Sequence, residues 1–229
     1  MKRTILLLLT AVLLCSLTAC GTPQELNGKY ALSVDLYDDV IAAFDGTEYT
    51  DTDLSLDEYL SDFILTINYT FYENETYSVA LNRDALSVEL DELEVALHNV
   101  MEARLLANAY TQMAAYGIPL ETKEDVEALF GRSVEDLFLD RNGITMEEYI
   151  DNTVNECFYT ILDTGYTASG KFSAAEGVLI LSDSLSSELP TDRYEYYEID
   201  SDGSIIFTAG TNIPEDELFS YPYVLTPVR

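Results

Sequence analysis

Apolar and polar residues alternate with a period of two in two separate parts of the chain. In the first part, the alternation covers residues 30–36, 63–71 and 77–81, and a polar turn separates the last two segments. Such alternation places every second side chain on the same face, which is typical of an antiparallel strand with one buried face. The first part therefore predicts three strands.

The second part begins after residue 164 and has the same period. Five segments have strand character, namely residues 165–172, 178–181, 193–199, 204–208 and 219–228. Short polar or glycine-containing stretches separate most of these segments, which favours hairpins between successive strands. The second part therefore predicts five strands, for a total of eight.

Between the two parts, the period changes to that of a helix. A leucine-rich stripe runs along residues 84–116, and three helix starts of the form Ser/Thr-x-x-Asp/Glu follow at Thr122, Ser133 and Thr145. The last of these starts predicts a helix over residues 146–162. Eight strands close a barrel whose interior holds side chains or one small ligand. We therefore predict an α+β fold, with an eight-stranded antiparallel up-and-down barrel from residues 28–83 and 165–229 and a helical insertion, residues 84–164, between strands three and four.

Three features of the strands resemble the lipocalin-like (calycin) barrels. Gly28-Lys29-Tyr30 is similar to the Gly-x-Trp opening of their first strand, and the run from Gly165 to Leu181 is similar to the middle strands of small bacterial members. Arg229 resembles the basic residue that these folds place against the opening aromatic. The resemblance implies a barrel over residues 27–83 and 165–229. Tyrosine in place of tryptophan and the inserted helices depart from the family pattern.

The first residues have the pattern of a secretory signal followed by a lipid-attachment site. Lys2 and Arg3 precede an apolar run, residues 5–14, that is too short to span a bilayer as a stable helix. Leu17-Thr18-Ala19-Cys20 resembles the lipobox of bacterial lipoproteins. The resemblance implies a signal peptide over residues 1–19, a diacylglyceryl group on Cys20 and a lipidated tether over residues 20–27. We therefore expect an extracytoplasmic protein anchored to the bacterial membrane by its lipid, since two acyl chains give stable attachment.

The chain is strongly acidic, with 42 Asp and Glu residues, 11 Lys and Arg residues and a net charge of −31. Binding of nucleic acid or adsorption to anionic lipid headgroups requires a basic face, so neither is expected. Ten of the acidic residues lie within residues 35–62. We interpret this segment as a solvated loop, and the alternative is a site for a divalent cation or a cationic partner.

Candidates for catalytic chemistry are few. His98 is the one histidine, and on a helix it shares a face with Glu94 and Glu102, and with Asp91 two turns back. We interpret this group as a solvated ion-pair cluster, and the alternative is a set of metal ligands. Cys157 falls on the apolar stripe of the last predicted helix, so we expect a buried, inert thiol. No catalytic residue, metal site or cofactor is predicted.

Aromatic residues on the strands are the remaining feature. Tyrosine combines an apolar ring with a polar hydroxyl, which suits an amphipathic ligand, although Tyr and Phe also fill ordinary strand cores. Six aromatic residues have strand phases compatible with one shared cavity and are candidate ligand-binding residues: Tyr69, Phe71, Tyr77, Tyr166, Tyr194 and Tyr196.

Three functions are consistent with these features. The first is non-catalytic binding of a small amphipathic molecule by the six aromatic residues. The second is an envelope protein–protein interaction module whose barrel is filled with side chains and whose helices or acidic segment bind the partner. The third is an acidic hydrolase, which requires two buried, converging carboxylates in a cleft.

Overall fold

Eight antiparallel strands form a closed barrel in which each strand pairs with its neighbours in the chain. The computed structural model describes residues 26–45, 54–164, 166–211 and 220–228. The strands are β1 (Gly28–Asp35), β2 (Ile64–Phe71), β3 (Thr76–Leu81), β4 (Ala168–Ala175), β5 (Val178–Leu181), β6 (Glu195–Ile199), β7 (Ile205–Gly210) and β8 (Tyr223–Pro227). β8 returns to β1, where the Val228 amide donates to the Lys29 carbonyl at 2.9 Å. The predicted eight-stranded barrel is confirmed.

Five α-helices lie within the described residues. They are α1 (Tyr37–Asp45), α2 (Arg83–Ala115), α3 (Lys123–Phe130), α4 (Val134–Asn142) and α5 (Met146–Thr164). Helices α2 to α5 form the predicted insertion between β3 and β4. Thr122 and Asp125 form a capping box at the start of α3, and the hydroxyls of Ser133 and Thr145 each accept an amide hydrogen of the first turn of the next helix. All three predicted starts are therefore real, because a side-chain oxygen satisfies an amide that the helix leaves open.

The acidic segment, residues 35–62, is not a loop throughout, so that interpretation is wrong in part. Helix α1 occupies its beginning, and a 3₁₀ helix, Leu56–Glu58, lies near its end. Val40 and Phe44 are buried one turn apart, while Asp38 and Asp39 lie in the first turn, where the helix dipole favours negative charge. The high density of acidic residues concealed this short amphipathic pattern.

The described chain separates into two compact units, each with its own buried side chains. The barrel unit comprises the chain up to Tyr30, Tyr69–Ser78 and the chain from Ala168 onwards, whereas the helical unit comprises Ala31–Asn68 and Val79–Thr167. Strands β1, β2 and β3 contribute residues to both units. The predicted signal peptide, Cys20 and Arg229 lie outside the described residues.

Candidate functional site

The interior of the barrel unit contains aromatic rings that contact one another. Phe71 on β2 makes edge-to-face contacts with Tyr30 and Phe172, at ring-centroid distances of 6.1 and 5.1 Å. The ring of Phe207 on β7 is stacked on that of Tyr223 on β8, with centroids 4.7 Å apart. Aromatic pairs at these separations are in direct contact, so no further group fits between the paired rings.

Tyr77 is a buried hydrogen-bond donor of this interior. Its hydroxyl donates to the carbonyl oxygen of Ser182 at 2.9 Å. Burial raises the pKa of Tyr77, the negative charges of Asp183 and Glu195 raise it further, and Arg193 opposes them. The phenol therefore stays protonated over the physiological pH range and remains a donor.

A buried carboxylate lies at the centre of a tyrosine cluster. Glu195 on β6 is 2 % exposed, and its Oε1 accepts hydrogen bonds from the hydroxyls of Tyr223 at 2.7 Å and Tyr221 at 2.8 Å. Burial raises the pKa of Tyr223 far above its usual range, and the charges of Glu195 and Tyr69 add to this effect. Two protonated phenols thus donate to one carboxylate oxygen, which offsets the cost of removing that oxygen from water.

The phase of β6 differs from the one expected for the candidate ligand-binding residues. Glu195 and Tyr197 are buried, whereas Tyr196 is 48 % exposed and contacts Tyr194 edge-to-face at 5.3 Å. The expectation that Tyr194 and Tyr196 point inward is therefore wrong for Tyr196, whose side chain lies on the outer face. Glu195 could not be identified from the sequence as a buried residue, because a carboxylate rarely takes an interior position without partners such as these.

The structure separates the six aromatic candidates into distinct environments. Tyr69, Phe71 and Tyr77 are buried in the barrel unit, as are Tyr197 on β6 and Tyr223 on β8. Tyr166 belongs to the helical unit, has a positive φ of 43° and is half-buried. Three of the six candidates are thus interior residues of the barrel unit, and this placement leaves their ligand-binding role a hypothesis.

An open groove of about 470 Å³ lies in the helical unit. Residues 59–61, which follow the 3₁₀ helix, form one wall, and Leu60 of this wall is buried. The other wall is one face of α2. It is formed by residues at positions i, i+3, i+4, i+7 and i+8, namely Val88, Asp91, Glu92, Val95 and Ala96. We call this feature the α2 groove.

Two long-range hydrogen bonds fix the segment that forms the first wall. The buried Arg104 of α2 donates from Nε to the Leu54 carbonyl at 2.9 Å, just before the 3₁₀ helix. Beyond the wall, the Ile64 amide donates to the Glu89 carboxylate at 3.0 Å. Residues 54 and 64 are therefore both tied to α2, which holds the intervening segment beside the helix.

Apart from Ser61, the side chains exposed in the α2 groove are apolar or acidic. Val88 and Val95 are 55 % and 62 % exposed, and Tyr59 also reaches solvent. Asp91 and Glu92 lie between the two valines, and none of the described lining residues is basic. The groove thus combines an apolar surface with uncompensated negative charge.

The environments of His98 and Cys157 differ from those predicted. His98 Nε2 lies 3.8 Å from the Glu135 carboxylate, whereas Glu102, expected beside it, pairs with Lys123 at 2.8 Å. Cys157 is exposed, so the expectation of a buried thiol is wrong. Its neighbour Phe158 takes the buried position, four residues after the buried Val154, and partial desolvation together with Glu156 raises the pKa of the Cys157 thiol.

The arrangement of acidic groups bears on the hydrolase and metal alternatives. Among the residues that the structure describes, Glu195 is the one carboxylate that is buried, whereas the hydrolase hypothesis specified a buried pair. Across the same ranges, no three His, Cys, Asp or Glu side chains converge as metal ligands would.

The described helices include none with the length and apolarity required to cross a bilayer. Comparisons with protein-family models, with curated proteins and with solved structures found no match.

Proposed function

We propose that this protein is an extracytoplasmic lipoprotein, anchored through Cys20, that acts as a non-catalytic protein-interaction module of the bacterial envelope. The anchor is supported by the residues that resemble a signal peptide and lipobox. The interaction role is supported by the α2 groove, which exposes Val88, Val95 and Tyr59 to solvent. Exposed apolar surface that is concentrated in a groove is typical of a binding site.

The barrel interior supports this role over storage of a sizeable ligand. Phe71 contacts Tyr30 and Phe172, and Phe207 contacts Tyr223, so these rings occupy the space between their strands. Small eight-stranded barrels either fill their interior with side chains or hold one small ligand. The ring contacts favour the filled state in the barrel unit, which then serves as a scaffold.

The test is capture of partners by the full-length, lipidated chain in its own membrane. We propose Val88→Ser with Val95→Ser as the groove variant and Val224→Ser with Val228→Ser as the control, because all four valines are exposed. After chemical crosslinking, a defined set of envelope proteins is expected to be captured by the wild type and the control and lost from the groove variant. Equal capture by all three proteins would exclude the groove as the interaction site.

The cluster around Glu195 favours a second candidate function, binding of a small amphipathic molecule. A ligand site places a few polar groups in an apolar interior, and the hydroxyls of Tyr221 and Tyr223 converge on Glu195 among aromatic rings. Native mass spectrometry of the protein purified from membranes distinguishes the two functions. A bound small molecule that is lost in Tyr223→Phe supports this candidate, and a ligand-free mass for the wild type contradicts it.

A further inference from the structure

The two exposed valines of α2 are not explained by the stability of the helix itself. Valine is a poorer helix former than Lys, Glu or Ala, because its β-branch restricts the side chain against the preceding turn. Val88 and Val95 are nevertheless more than half exposed on an otherwise polar part of the helix surface. Their spacing of seven residues corresponds to about 10.5 Å along the helix axis. This is the repeat with which one helix packs against another.

The shape of the α2 groove suits a helix. Tyr59 and the valines are exposed, while Leu60 and Ala96 are buried, so the groove has an accessible apolar rim above a closed base. An amphipathic helix inserts residues at positions i, i+3 or i+4 and i+7 into such a groove. The valine spacing therefore matches two turns of an incoming helix.

The charge of the groove selects the type of helix. Asp91 and Glu92 project from α2 between the valines, and the described lining residues supply no compensating base. Glu94, on the next turn, has its pKa raised by burial and then by the carboxylates of Asp151, Asp91 and Glu147. Like charges accumulate on this part of the helical unit, so an incoming helix with Lys or Arg along its apolar stripe gains complementary contacts and an acidic one is repelled.

We infer that the α2 groove binds a basic amphipathic helix of a partner protein. Its apolar side chains enter between Tyr59 and the two valines, and its Lys or Arg side chains contact Asp91 and Glu92. This inference rests on the proposed interaction function and names the recognition element of the partner. It requires the apolar and the acidic parts of the groove to act together.

The probe is a fluorescent 18-residue helical peptide with leucines at i, i+3 and i+7 and lysines beside them, and the matched peptide has glutamate in place of lysine. Binding to the full chain in detergent micelles is measured by anisotropy at 0.15 M salt. Two groove variants are used, Val88→Ser with Val95→Ser, and Asp91→Asn with Glu92→Gln. The control, Glu73→Gln with Glu188→Gln, removes the same charge from exposed positions outside the groove.

We expect the basic peptide to bind the wild type and the acidic peptide not to bind. Each groove variant should weaken the Kd about tenfold, and the control should change it by less than about twofold. Circular dichroism should show unchanged helix content in all variants, since every substituted side chain is exposed.

Several results would overturn the inference. Equal weakening by the control and by Asp91→Asn with Glu92→Gln would mean general attraction to an acidic surface, and insensitivity to the valine variant would exclude a helix with an apolar stripe. Competition by dodecyltrimethylammonium with the same dependence on the groove would identify a small cationic amphiphile as the ligand. If neither peptide binds while membrane capture still depends on the valines, the partner class is wrong and the interaction function stands.

Discussion

The hydrogen bond from Tyr223 to Glu195 should make a large contribution to the stability of the barrel, and Tyr223→Phe tests it. The substitution removes only the hydroxyl, which donates to the buried carboxylate at 2.7 Å, and keeps the ring that stacks on Phe207. A buried hydrogen bond to a charged group contributes about 1.5–3 kcal/mol. The variant should therefore lose about that amount of unfolding free energy, because Glu195 remains buried with one donor fewer.

The loss can be measured as a shift in the urea midpoint and in Tm. For a chain of this size, 1 kcal/mol corresponds to about 2–4 °C, so Tm should fall by roughly 3–12 °C. Far-UV circular dichroism is the appropriate probe, since the chain has no tryptophan. Tyr196→Phe is the matched control, because the Tyr196 side chain on the outer face of the same sheet is half exposed.

The control should change the unfolding free energy by less than about 0.5 kcal/mol. Tyr221→Phe should have an intermediate effect, since Tyr221 donates to the same oxygen from a less buried position. Equal midpoints for Tyr223→Phe and Tyr196→Phe would refute the reasoning. That result would mean that the hydrogen bond from the Tyr223 hydroxyl to the buried carboxylate does not contribute to the stability of the fold.

Three further predictions concern other parts of the molecule. The free energy of unfolding should decline as the pH rises above about 10. Tyrosines of the unfolded chain ionise there, whereas Tyr223 and Tyr77, whose pKa values are raised by burial, stay protonated in the folded state. Urea midpoints that do not change up to about pH 11 would contradict this. Gly170→Ala should lower the unfolding free energy by about 3 kcal/mol, because the added Cβ would overlap the Ser182 carbonyl. Gly117→Ala is the control and should lower it by about 1 kcal/mol, since Gly117 has open space around it but a positive φ. Equal Tm shifts for the two variants would count against the clash. Cys20→Ala should abolish incorporation of labelled fatty acid, and persistent labelling would disprove the anchor.

Local features of the fold could be predicted because they depend on neighbours in the chain. The predicted strand segments matched all eight strands, and the hydroxyls of Thr122, Ser133 and Thr145 marked the starts of three helices. Two predictions were wrong because a stronger pattern nearby obscured a weak apolar one. Helix α1 was hidden by its acidic residues, and Cys157 lies one position from Phe158, which takes the buried place on the stripe.

The amino-acid sequence was sufficient to predict the strands, three helix starts, the acidic character and the residues on which the anchor prediction rests. The burial of Glu195 became evident only in the folded chain, because it depends on hydroxyls 26 and 28 residues further along the chain. The α2 groove likewise arises from contacts distant in sequence, since Arg104 holds Leu54 across 50 residues. Hydrophobic periodicity indicates which face of a helix or strand is apolar. It does not indicate which distant segment packs against that face, and this packing supplies both the partners of a buried charge and the opposite wall of a groove.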